Sequence, residues 1–211
     1  MLARQRAPVG ASPSYAVVWS NLRKRFPGLR TILMTAASAG DDASIAALNL
    51  AEAATGLDGG SALVLVLDSA MPNRRQPDPP AESVRLMVAL SLGQVRAVLA
   101  DASQEFPLVI VVAPPPQRDA ECIAAGALAD AAILVAREGR TRFGAAQLAA
   151  ERLRQAGIST AAAILISRQA GLRQRPAGAR QAIDTGQIAE LRPRAQLNER
   201  REATAGLDLL S

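Results

Sequence analysis

The ten residues "TAASAGDDAS", positions 35–44, combine the small side chains of a phosphate-holding turn with two carboxylates that a phosphate would repel. The apolar run "RTILM" leads in and the alternating "SIAALNLAEAA" leads out, so the turn joins a buried strand to the start of a helix. Such a turn points backbone N–H groups and the positive end of the helix dipole at an anion. Gly40 and Ser44 suit that task; Asp41 and Asp42 bring negative charge to it, and Ala43 brings no amine. Other chemistries are closed by composition. The chain has no histidine, which excludes a Ser-His-Asp triad, a Cys-His dyad and a histidine-ligated zinc. Its one cysteine, Cys122, makes neither an intramolecular disulfide nor a multi-cysteine metal site, and it falls on the apolar side of a helical segment as a core residue would.

The elements that must position this turn are written in the hydropathy pattern. Continuously apolar runs at 30–35, 62–68, 107–113, 131–136 and 161–167 read as strands buried on both faces. Between them lie helical segments around 44–55, 81–104, 119–129 and 142–156. That alternation predicts an α/β fold: a doubly wound, mostly parallel sheet of about five or more strands with helices on both faces. With 211 residues the chain has room for one such domain, and with one Trp, one Tyr and three Phe its core is built from Ala, Val, Leu and Ile. The prolines 114–116 stop the third apolar run and stiffen the turn after it.

Both ends are basic. Ser12-Pro13 reads as an N-cap followed by proline at the first helical position, opening a helix over 13–26 with Tyr15, Val18, Trp19, Leu22 and Phe26 on one stripe. Residues 1–30 contain Arg4, Arg6, Arg23, Lys24, Arg25 and Arg30 and no acid, and residues 1–12 read as a flexible basic start. This flank is either a solvated face or a contact for acidic lipid or an acidic partner, with Tyr15, Trp19, Arg23, Lys24 and Arg25 as the docking residues. Residues 168–211 form an arginine-rich extension, partly disordered, with a short helix expected near 178–191. Nothing approaches the ~20 apolar residues that cross a bilayer, and "MLARQRAPVGASPSY" lacks a signal-peptide core, so the expected location is the cytoplasm, at the inner face of the plasma membrane where docking holds it.

Five strings in order carry a resemblance: "NLRKRFPGLRTILMTAASAG", "NLAEAA", "VLVLDSAMPNRRQP", "FPLVIVVAPPPQRDA" and "ADAAILVAREGRT". Over 15–167 the chain resembles the cytoplasmic domain of the bacterial tyrosine kinases that regulate capsular and exopolysaccharide assembly, relatives of the Min/Par-type P-loop ATPases. The resemblance implies a P-loop NTPase-like fold over 13–167 and a vestigial phosphate loop of Gly40, Asp41, Asp42, Ala43 and Ser44. Where the family has Gly-Glu-Gly-Lys-Ser-Thr, Asp42 replaces the second glycine, Ala43 the lysine and Ile45 the threonine. Of the carboxylates that manage magnesium and water, Asp68 is kept, its partner is Ala70, and the third is Val112. Asp68 alone suits a strand end better than a metal site. The family's Glu-x-x-Arg-x-x-Arg maps to Pro13, Ala16 and Trp19, its adenine-reading asparagine to Ser167, and Tyr15 is the only tyrosine. Arg137, Gly139 and Thr141 match the family's loop after the fourth apolar run, where glycine permits a turn.

These replacements weigh against nucleotide. A lost lysine removes charge-assisted hydrogen bonds of roughly 1.5–3 kcal/mol each. A carboxylate about 4 Å from a phosphate repels it by about 4 kcal/mol at an effective dielectric of 20. The only lysine, Lys24, belongs to the N-terminal helix. The expectation is a catalytically inactive pseudo-ATPase with no cofactor, acting as scaffold or regulator in exopolysaccharide or capsule synthesis or export by docking on a membrane polysaccharide co-polymerase. The alternatives are an atypical binder of ATP and magnesium, with an arginine in place of the lysine, and a partition-like protein on nucleic acid. The second alternative lacks a helix-turn-helix signal and an aromatic-basic platform.

Overall fold

The computed structural model describes residues 13–41, 43–70, 79 and 81–167. The expectations for 1–12 and 168–211, the Ser12 cap and the place of Asp42 lie outside them. Six strands form one sheet: β1 (Thr31–Ala36), β2 (Ala62–Leu67), β3 (Val84–Ala89), β4 (Leu108–Ala113), β5 (Ala131–Arg137) and β6 (Thr160–Ile166). Their order is β3-β2-β4-β1-β5-β6, and every adjacent pair is parallel. The helices are α1 (Pro13–Arg25), α2 (Ala43–Asp58), α3 (Leu92–Glu105), α4 (Ala120–Gly126) and α5 (Phe143–Gln155).

Continuous apolar strands are required because both faces are covered. Ile32 and Met34 of β1 join the cluster beneath α2 and α1, while Leu33 joins the opposite cluster with Val95 of α3 and Cys122 of α4. Alternate residues of one strand thus serve two cores. At fully buried positions such as Leu50, Leu65 and Ile110, each side chain contributes about 1.5–3 kcal/mol of transfer free energy.

One expected helix resolves differently. The segment 81–104 contains the edge strand β3 and then α3, in place of a single helix. "VRLMVA" carries a period of two as well as apolar content: Arg85 and Met87 are exposed on one face, while Val84 is buried and Leu86 and Val88 are half-buried on the other. The helix starts later, at Ser91, whose hydroxyl accepts from the Gln94 N–H at 3.4 Å and sets the N-cap. Arg85 closes the edge by pairing with Glu105 at 2.9 Å.

The stripe on α1 also points elsewhere than its surface role requires. Val18, Trp19 and Leu22 are buried against α2, with Tyr15 and Phe26 packed at the margin of that cluster. Trp19 is 3% exposed and its indole N–H donates to Asp58 at 3.0 Å. An amphipathic helix beside α2 has its largest aromatic as its best packing group, so Trp19 is core rather than a docking anchor. Arg23, Lys24 and Arg25 are exposed, as the basic flank requires.

Candidate functional site: the loops around the phosphate turn

At the C-terminal edge of the sheet, three loops converge on the end of β1. The first, 37–41, leaves β1 with the Ala37 N–H still donating to the Val135 carbonyl at 2.7 Å. It turns at Gly40, whose φ of +97° is left-handed backbone that L side chains rarely adopt. A Cβ on Gly40 would lie 2.6 Å from Nη2 of Arg140, so that guanidinium lies directly over the loop. The turn then hands the chain to α2, and β1, flanked by β4 and β5, stands at the point where the strand order reverses. Ligands of open α/β sheets bind at such points.

Asp41 is 5% exposed and laces two of these loops together. Its Oδ2 accepts from the Thr141 hydroxyl at 2.5 Å and from the Ser38 hydroxyl at 3.3 Å. The Thr141 hydroxyl in turn accepts from the Arg137 N–H at 2.7 Å. The loop after β5 can close this way because Gly139 adopts a φ of +70°. Asp41 Oδ1 is buried with no hydrogen-bond partner among the described residues.

The third loop follows β4, where Pro114–Pro116 end the strand. The buried hydroxyl of Thr35 donates to the Pro114 carbonyl at 2.8 Å and accepts from the Cys122 thiol at 3.5 Å. Burial pushes the Cys122 thiol up to about 11, with the Thr35 hydrogen bond acting in the opposite direction. Gln117 donates to the Ala37 carbonyl at 3.1 Å and to the Ala145 carbonyl at 2.9 Å, joining this loop to the phosphate turn and to the first turns of α5. Sequence reasoning passed over Gln117 and Arg140. Only the meeting of loops some 80 to 100 residues apart gives those two side chains a common site.

The residues of the expected vestigial site are placed as follows. Ala43 at the lysine position is buried and belongs to the apolar cluster beneath α2, Ser44 is buried beside it, and Ile45 is exposed. Asp68 begins the short 3-10 turn Asp68–Ala70 after β2 and is half-buried. Val112 is fully buried within β4, in register with Met34 and Val66. No group of three or more His, Cys, Asp or Glu side chains among the described residues is arranged to hold a metal ion. Two clefts of about 190 and 330 Å³ open at the opposite, N-terminal edge, the larger lined by Trp19, Arg23 and Asp58; neither touches the phosphate turn.

Comparison with solved structures decides what this arrangement is built on. The kinase domain of the Escherichia coli tyrosine kinase ETK superposes with a TM-score of 0.59 at 17% identity, over 84% of this chain and 89% of that one. The chain has the fold of a bacterial tyrosine kinase domain. The same kinase-domain fold is met in the BceF tyrosine kinase domain (17% identity, TM-score 0.58, 72% of this chain and 76% of that one) and the chimerical protein CapA2B2 (15%, 0.60, 79% and 88%). No protein-family model matches the chain, and no curated protein sequence matches it significantly. The kinase-domain fold expected from the five strings is therefore present, six-stranded and parallel throughout. Among the described residues no helix is long and apolar enough to cross a membrane.

Proposed function

We propose that this domain is a catalytically silent tyrosine-kinase-fold regulator or scaffold of exopolysaccharide or capsule synthesis or export, docking on a membrane polysaccharide co-polymerase at the cytoplasmic face. The observation that carries the silence is the separation of the chain's only lysine from the phosphate turn. Arg23 pairs with Asp58 at 3.3 Å, so Lys24 lies at the C-terminal end of α2, while the phosphate turn lies at its N-terminal end. A helix of 16 residues is about 24 Å long, far beyond the reach of a lysine side chain. With Ala43 buried in an apolar cluster at the lysine's own position, no lysine amine meets a γ-phosphate. Val112, buried in β4, brings no carboxylate to the magnesium side, where Asp68 alone is kept. The link to polysaccharide export rests on the fold shared with the tyrosine kinase domains and on the sequence resemblance.

One observation favours the rival nucleotide-binding reading, the Arg140 guanidinium over Gly40. Thermal unfolding with and without magnesium-ATP separates the two. A true binder at a hundredfold excess over its dissociation constant gains about 2.7 kcal/mol. The expected outcome is no shift at millimolar magnesium-ATP; a clear upward shift that disappears in Arg140→Ala would overturn the silent reading.

A further inference from the structure

The Arg140 guanidinium belongs to a small exposed cluster at the rim of the phosphate turn. Phe143, the first residue of α5, is 78% exposed, although the helix already buries Ala149 and Leu153 and has no packing need for a third anchor. Arg142 precedes it at the N-cap with no side-chain capping bond. Arg140 lies over Gly40. Exposed Arg118 follows Gln117 in the chain, and Gln117 is bonded to the Ala145 carbonyl and the Ala145 N–H to the Arg142 carbonyl, so the backbone at Arg118 lies close to the first turn of α5.

Arg118, Arg140 and Arg142 make no ion pair among the described residues, in contrast to Arg23, Arg85 and Arg154, each of which has a carboxylate within 4 Å. Nearby acids are largely engaged: Asp41 is buried and bonded, Asp119 caps α4 through the Glu121 N–H, and Glu121 accepts from Ser69. Glu138 is exposed on the same loop as Arg140. Among the described residues, the rim therefore presents one aromatic group and three guanidiniums without an ion pair against one exposed carboxylate.

We propose that this rim, Arg118, Arg140, Arg142 and Phe143, is a docking surface for an acidic protein segment that also carries an apolar side chain. Aromatic and arginine residues concentrate binding energy at interfaces, and the charge here complements a carboxylate-rich partner. A nucleic acid would call for a basic groove with several stacking aromatics, and the rim has a single aromatic broken by Glu138. The proposal deepens the docking reading above by naming its surface, and it stands or falls independently of nucleotide binding.

The test uses the full chain and a fluorescein-labelled peptide of repeated Glu-Glu-Leu-Glu, followed by anisotropy at near-physiological salt. Phe143→Ser and the pair Arg140→Glu with Arg142→Glu should each weaken binding about tenfold or more. The pair Arg96→Glu with Arg152→Glu makes the same charge change on remote exposed positions and should alter binding by less than about twofold. All these side chains are exposed, so thermal unfolding should be unchanged and serves as the folding control. Absence of saturable binding by the unaltered chain, equal losses in the two arginine pairs, or indifference to Phe143→Ser overturns the proposal. So does an oligonucleotide that binds more tightly through the same residues.

Discussion

Thr141 is the side chain on which the joining of two loops turns, since its hydroxyl donates to Asp41 and accepts from the Arg137 N–H. Thr141→Val removes both bonds and leaves the buried Asp41 Oδ2 with only the longer Ser38 bond, a loss of roughly 2–3 kcal/mol. Thr141→Ser keeps the hydroxyl and gives up one methyl group, about 1 kcal/mol or less. Urea unfolding of the two variants should rank them in that order; equal destabilisation would mean that packing, and not the hydrogen bond, holds the loops. Asp41 and Thr141 were both singled out in the sequence. Their pairing was not legible there, because it bridges 100 positions and depends on the parallel neighbours β1 and β5.

At the scale of the element, α1 is a packing unit whose aromatic stripe faces α2. Trp19→Ala should therefore cost roughly 3–5 kcal/mol, as deletion of a large buried aromatic does, and should lower the denaturant midpoint sharply. Lys24→Glu, on the exposed side, should stay within about 0.5 kcal/mol. A Trp19→Ala variant with near-normal stability would return the stripe to the surface role that its basic flank suggests. The stripe itself was plain from its helical spacing. Which way it faced was not, since a helix beside basic residues can use the same aromatics for its own core or for a partner. The edge strand β3 shows the same limit: "VRLMVA" supports either period locally, and pairing with β2 in register from Ala62↔Val84 to Leu67↔Ala89 selects the strand.

For the whole molecule, the buried Cys122 thiol links stability to alkaline pH. Its folded value, about 11, lies above the ordinary 9.0, so the thiol form is favoured by folding. That contribution is fully present below about pH 9 and is lost as pH rises through the folded value, because the unfolded chain ionises first. The loss amounts to about 2–3 kcal/mol between pH 9 and 11. Tyr15, also raised by burial, acts in the same direction. Unfolding free energies for the unaltered chain and Cys122→Ala should therefore converge across that interval; a constant difference would show that the thiol ionises as readily in the folded protein.

The sequence by itself determined the fold class, because strands buried on both faces have to be continuously apolar and a parallel sheet has to alternate them with helices. It also determined the absence of histidine chemistry and of a lysine in the phosphate turn, which are matters of composition and position. Tertiary structure alone decided that Lys24 lies a helix length from that turn, that Trp19 points inward, and that Arg118, Arg140, Arg142 and Phe143 share one rim. The first two depend on how α1 packs along α2 and the third on which loops the strand order brings together, and both are set by packing among elements far apart in the chain rather than by any local run of residues.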